Sequence, residues 1–394
     1  MHIAPGQPPH TVRRSFLIDA VKASGCLLIV LHHLAFYGPM SDVAANAWPR
    51  VLAWLYDYGR LAVQFFLVCA GYLTAASLAR FDALTWQQAL KLCGQRYLRL
   101  AIPLLAALSF TVLVTEGLRP DFDHASLSAT PDWGQALAHI VFLQHGLGME
   151  ALSAGIWYVA IDFQLYAMTL LSLVAVQLCR ASHVALSPWA VRWGLQLGLT
   201  CASLWYWNLN AEWEDLGLYF FGSYGLGLLA WEGQRLLRLS RPGHDAQRWA
   251  IWAVFLVMGG LAFALEPRWR IATAWLLAGV LLGMPERLEV GHNLQPLTAK
   301  WRRWVEGLST VSYAVFLMHF GVSLLVNAAV YSAWPERVWA NTLGMLLALT
   351  LSVASGVLLH RWVERPSATW SRWCLWAGVF KASVALAWLL NPGV

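Results

Sequence analysis

The sequence predicts an all-α membrane protein, a polytopic bundle of about ten transmembrane helices with a possible eleventh span at the C-terminus. Three observations predict it. Hydrophobic residues make up 59% of the 394-residue chain and charged residues 12%, against about 45–50% and 25% in soluble domains. Mean hydropathy is +0.53, and 24 Trp and 16 Phe add apolar bulk that a soluble fold could not cover and a disordered chain would not carry. Lys and Arg sit in small clusters between apolar stretches, so the net charge of +6 reads as an orientation signal and not as a nucleic-acid footprint.

A span needs about 20 apolar residues. Such stretches lie near residues 16–37, 60–79, 97–117, 154–178, 187–207, 214–232, 248–266, 270–285, 307–331 and 337–360. Residues 134–149 (GQALAHIVFLQHGLGM) are short and carry two His, which suits an interfacial or re-entrant piece. Residues 373–390 either span or lie on the surface. This divides the chain into a transmembrane domain over 1–366 and a tail over 367–394.

A cytoplasmic N-terminus puts 20 Lys and Arg on inner segments and 6 on outer ones, a positive-inside bias. The start, VRRSFL, looks like a twin-arginine signal, with Ala45-Asn46-Ala47 as a cleavage site. Asp19, Lys22, His32 and His33 interrupt its apolar run and nine more spans follow, so the first span is expected to stay. Gly279 and Gly283 form a GxxxG suited to helix packing. The six Cys have no CxxC spacing and read as buried free thiols. No metal-ligand spacing is present either, so no metal is expected.

Ionisable residues inside spans cost at least about 2.5–3.5 kcal/mol and usually serve a function. In IDAVKASGCLLIVLHH, Lys22 and His33 are eleven residues apart, about 20° apart on one helix face and roughly 16 Å apart along it. Asp19 lies on the same stripe, three residues before Lys22, where it can pair with it. His32 points about 100° away and is expected to be structural. In the fourth span, Tyr158, Asp162 and Tyr166 recur every four residues; a buried Asp needs a polar partner, and an imidazole is an obvious one. Tyr313 and His319 lie in the ninth span. Two layers are expected: cations (Lys22, Arg96, Arg99) near the cytoplasm and a His/Asp cluster above them.

These residues together resemble the acyltransferase-3 family of bacterial membrane proteins. Asp19, Lys22 and His33 match its opening motif, with Lys where the family has Arg. The stretch from Ala62 to Tyr72 matches its second-span pattern, with Gln64 for Asp. Arg96, Arg99 and Pro103 match RxxRxxxP. Trp157, Tyr158, Asp162, Gln164 and Tyr166 match the next motif, with Asp for Glu. Ser312, Tyr313 and His319 match the late one, and Glu364, Arg365 and Pro366 the closing one.

The resemblance implies an O-acyltransferase of the bacterial inner membrane that moves an acyl group, commonly acetyl, from cytoplasmic acyl-CoA to a hydroxyl of a carbohydrate or lipid-linked glycan. Acyl-CoA (acetyl-CoA) is then a co-substrate, no cofactor is held tightly, and membrane lipids surround the bundle. Lys22, Arg96 and Arg99 are expected to hold the acyl-CoA phosphates. His33, polarised by Asp162, is expected to act as general base or as acyl carrier, supported by Asp19, Trp157, Tyr158, Tyr166, Tyr313 and His319. The rival reading is a proton-coupled transporter or exporter of a glycan or lipid, which would show repeat symmetry and broken helices; no internal repeat is visible in the sequence.

Overall fold

A computed structural model describes residues 15–182, 186–239, 245–284 and 296–390. The Arg13–Arg14 pair of the export-signal motif, and Arg241 and Arg287 of the charge census, lie outside the described residues. Every regular element described is helical. Helix α1 is Phe16–Phe36, followed by two short helices, α2 (Pro39–Ala44) and α3 (Pro49–Tyr58). A 3₁₀ turn at Gly59–Leu61 then leads into α4 (Ala62–Leu78). Helix α5 runs Trp86–Leu118, α6 Trp133–Ile140, α7 Trp157–Ala181, α8 Pro188–Trp205 and α9 Gly217–Leu239. The remainder are α10 (Asp245–Leu265), α11 (Trp269–Gly283), α12 (Pro296–Ala333), α13 (Val338–Leu359) and α14 (Trp370–Leu390). A π-helical turn over His360–Glu364 closes α13.

Local chemistry sets where several helices begin. Thr85 and Gln88 form a reciprocal capping box ahead of α5, with Thr85 N–H donating to Gln88 Oε1 at 2.9 Å and Gln88 N–H to Thr85 Oγ1 at 3.3 Å. Ser187 caps α8, whose first residue is Pro188, a position where proline loses no helical bond. Asp132 Oδ1 accepts from Gln135 N–H at 2.7 Å at the head of α6.

Eight helical stretches among the described residues are long and apolar enough to cross a membrane, so the chain is a multi-pass membrane protein. The shorter α11 and the less apolar α8 and α9 occupy the other predicted places. α5 and α12 are central, with 78% of their apolar windows buried, whereas α10 has 22% and turns most of its surface outward. α12 packs along α13, α1 and α5, while α4 packs along α9. That second contact is close because Gly71 faces the backbone of Tyr224 and Gly227 faces the backbone of Val68, where any Cβ would collide. Gly279 and Gly283 pack under the rings of Phe255 and Trp252 of α10, the helix contact expected of them.

The two segments left open by the sequence are defined by one aromatic anchor. Tyr97 of α5 donates its hydroxyl to the Ile140 carbonyl at 2.7 Å, and Trp373 Nε1 of α14 donates to the Tyr97 oxygen at 3.0 Å. α6 and the turns after it therefore fold back into the bundle, where His139 is fully buried and bonds both Gln135 and Leu152. Residues 373–390 form most of α14, which is among the eight apolar helices and packs along α5. Its other end is fixed by Trp388 Nε1 donating to the Pro131 carbonyl at 2.8 Å.

The starts of α1, α5, α8 and α12 share one end of the bundle with the finishes of α4, α7 and α9. This is the basic end. The loops 119–132 and 206–216, with the residues before α7, lie at the opposite, far end.

Candidate active site

Near the far end, His33 of α1 meets His319 of α12, with Nδ1 of His33 2.6 Å from Nε2 of His319. Nδ1 of His319 lies 2.6 Å from the carbonyl oxygen of Phe316. A carbonyl only accepts, so His319 Nδ1 carries a proton and its Nε2 is left as an acceptor. It follows that His33 donates through Nδ1, and that its own Nε2 bears a free lone pair. These tautomers are assigned from the network of partners. His33 is 9% exposed and lines a cavity of about 630 Å³.

The walls of that cavity explain how His33 is held. Gly155, just before α7, has a φ of +78°, and a Cβ there would stand 2.9 Å from the Phe316 ring and 3.3 Å from His33 Cε1. Only glycine meets both the backbone and the space without strain. Tyr158 lies edge-on to Phe316, and Trp157 stacks on Phe220 at 5.3 Å. The outer wall is polar: His145 Nε2 lies 2.9 Å from Asp215 Oδ1, and Glu150, Glu214, Arg60 and Ser153 also line the space. The Ser153 hydroxyl is buried without a partner.

One helical turn beyond Tyr158, toward the basic end, Asp162 Oδ2 accepts from Arg96 at 2.5 Å. The carboxylate is buried, whereas the Arg96 side chain keeps 30% of its surface open and its guanidinium sits 5.4 Å from the centre of the Tyr166 ring. Arg80 and Arg99 lie within electrostatic reach of the Tyr166 phenol as well. Lys22 is half-buried between α1 and α4, within reach of Cys26 and Cys69. Asp19 accepts the Ser309 hydroxyl at 2.6 Å, which ties α1 to α12. The Tyr313 hydroxyl donates to the Leu100 carbonyl at 2.9 Å and ties α12 to α5.

Two sequence expectations are corrected. Asp162 does not polarise His33; it neutralises Arg96, and the partner of His33 is His319. Arg96 accordingly does not lie in a separate cationic layer below the carboxylate but at its depth. The reason is length: α5 has 33 residues, well beyond the roughly 20 needed to span. A residue ten positions into it is therefore already inside the bundle. Cys26 and Cys69 are buried free thiols as expected, whereas Cys374 is exposed and the other three are intermediate. His32, expected to be structural, donates through Nδ1 to the Leu55 carbonyl at 2.9 Å and also lines the cavity. Gln164 also has a structural task, accepting the N–H of Gly217 at the head of α9 at 2.7 Å. His145, Glu150 and Asp215 were not anticipated; they sit in loops, where no periodicity marks them.

A family model described as an acyltransferase domain (Acyl_transf_3) matches residues 17–392. No curated protein and no solved structure matches the chain.

Proposed function

The chain belongs to the acyltransferase-3 family and is a membrane acyltransferase, and from that premise we propose that it moves an acyl group, acetyl in the simplest case, from acyl-CoA to a hydroxyl of a carbohydrate or lipid-linked glycan. The basic end faces the cytoplasm of a bacterial inner membrane in this reading and receives the donor. Lys22, Arg99 and the open edge of Arg96 meet its phosphates, and the thioester arm reaches up past Tyr158 to His33. The acceptor enters the far-end cavity, whose stacked Trp157 and Phe220 offer a flat apolar face and whose carboxylates accept sugar hydroxyls.

The observation that carries the proposal is the chain of donors from His33 through His319 to the Phe316 carbonyl. It leaves His33 Nε2 as a fixed, unprotonated base lining the cavity. His33 Nε2 removes the acceptor's hydroxyl proton as that oxygen attacks the thioester carbonyl. The C–S bond then breaks, and the leaving thiolate takes the proton back from His33. The ester and free CoA balance the reaction.

A second route is favoured by one feature, the His33 Nδ1–H. If Nε2 itself attacks the thioester, the C–S bond breaks and CoA leaves as the thiolate. The acyl-imidazolium passes its Nδ1 proton to His319 Nε2, 2.6 Å away. The acceptor hydroxyl then takes the acyl group from Nε2, and its proton and the one on His319 restore the His33 Nδ1–H and protonate the thiolate. Ping-pong kinetics would select the carrier route and ternary-complex kinetics the base route.

The test is CoA release and acyl transfer by the purified protein with labelled acetyl-CoA. His33→Ala is expected to lose about 10²–10⁴-fold in kcat. Wild-type turnover in that variant would remove His33 from the chemistry.

A further inference from the structure

A second cavity, of about 140 Å³, opens at the basic end between the α4–α5 loop, the start of α8 and the finish of α9. Its lining includes Arg192 of α8, a side chain that is only 7% exposed. NH1 of Arg192 donates to the Phe81 carbonyl at 3.3 Å, but Nε and NH2 are buried with no partner. A guanidinium left with a bare Nε/NH2 edge is costly, and that edge is the fork that grips two oxygens of one anion.

The protein does not supply those oxygens. Two acids line the cavity, Asp82 and Glu232. Asp82 acts on Arg192 through the field alone, and Glu232 is held by Arg235 through Nε at 2.8 Å and NH2 at 2.5 Å, and by Trp189 Nε1 at 2.9 Å. Neither carboxylate hydrogen-bonds the Nε or NH2 of Arg192. The space exceeds the 10–15 Å³ or so that one water needs, and it suits a compact tetrahedral group. Arg235, nearly half exposed, supplies a second cation, and Trp189, half exposed, an aromatic face.

We infer that this cavity is a phosphate-binding site in which the Nε/NH2 edge of Arg192 holds two phosphate oxygens. Two sources carry that group at this end: the ribose 3′-phosphate of the acyl-CoA donor, which rests on the function proposed above, and the phosphate of a membrane phospholipid.

The test uses the full-length protein in detergent, with acetyl-CoA and its 3′-dephospho analogue as donors and inorganic phosphate as a direct probe. For the nucleotide source, Arg192→Met raises the acetyl-CoA KM about tenfold or more, leaves kcat, and leaves the KM for the dephospho analogue within twofold. For the lipid source, both donors behave alike, and native mass spectrometry shows the variant losing a phospholipid that the wild type retains. Either result supports the site. Unchanged KM for both donors, an unchanged lipid complement and no Arg192-dependent stabilisation by phosphate would overturn it. If Arg192→Met does not fold, Arg192→Lys keeps the charge without the fork and is expected to show a severalfold weaker version of the same pattern. Phosphate binding that depends on Arg192 in a protein that transfers no acyl group from CoA would refute the proposed donor and leave this site standing.

Discussion

At the far end, two imidazoles from positions 286 residues apart in the chain share one proton-bearing contact; toward the basic end, Arg96 and Asp162 share a pair of opposite charges. Both contacts cross the bundle, the first joining α1 to α12 and the second α5 to α7. The ion pair consumes its own chemistry, because the carboxylate that could serve as a base already neutralises a guanidinium. In the imidazole pair one ring spends both nitrogens, on Phe316 and on His33, so that the other ring keeps a lone pair. In the proposed function, the protein thus separates a pair that holds from a pair that keeps a base free.

That separation can be broken most sharply at His33. His33→Ala is expected to cost about 10²–10⁴-fold in kcat with little change in thermal unfolding, since the abandoned His319 acceptor lies beside a solvent-sized cavity. Asp162→Asn should reverse the balance. It leaves the half-buried Arg96 charge without its partner, and breaking a fully buried pair costs about 3–5 kcal/mol. The lower figure is expected here because Arg96 retains some exposure, and a detergent-phase melt would read it. The Arg96→Met/Asp162→Asn double variant should recover most of that loss while the donor KM stays raised. Full recovery of both would mean the pair has no contact with the donor.

His319 sharpens the same comparison from the other side. Its bonds to Phe316 and His33 fix the tautomer of His33, and it does not line the cavity, so in the proposed function it is a positioning residue. His319→Met removes the acceptor and is expected to lower kcat by about 10–100-fold, the loss seen when the partner that orients a metal-ligating His is removed. His319→Gln offers an amide oxygen to the His33 Nδ1–H and should restore most of the rate. Equal loss in both variants would reduce His319 to packing.

The bundle itself was legible because hydropathy reports directly on burial in lipid, and residue spacing reports on helix faces. Lys22 and His33 could be aligned on α1, and Tyr158, Asp162 and Tyr166 on α7, from 3.6-residue geometry alone. What spacing cannot report is which helices are neighbours and at what relative depth. Asp162 was correctly assigned a polar partner but the wrong one, because the depth of Arg96 depends on how far α5 projects beyond the bundle. The pairing of His33 with His319 joins positions 286 apart in sequence, and no local pattern encodes it. The loop residues His145 and Asp215, and the bare edge of Arg192, lie in the same blind spot.

Gly155 offers the smallest perturbation and the finest test of how the His33 ring is held. Its φ of +78° lies where an L-residue costs about 1–2 kcal/mol. The added methyl would also press on Phe316, whose carbonyl anchors the chain of donors, and on His33 Cε1. Gly155→Ala is therefore expected to lower kcat by about tenfold while the donor KM holds, since the basic end is untouched. Phe316→Leu makes room for the methyl but leaves the backbone strain and the main-chain carbonyl in place. The double variant should thus regain the part of the rate lost to displacement of the rings and keep the loss of stability. If it regains nothing, backbone strain alone accounts for the effect, and contact between Gly155 and the His33 imidazole has no catalytic consequence.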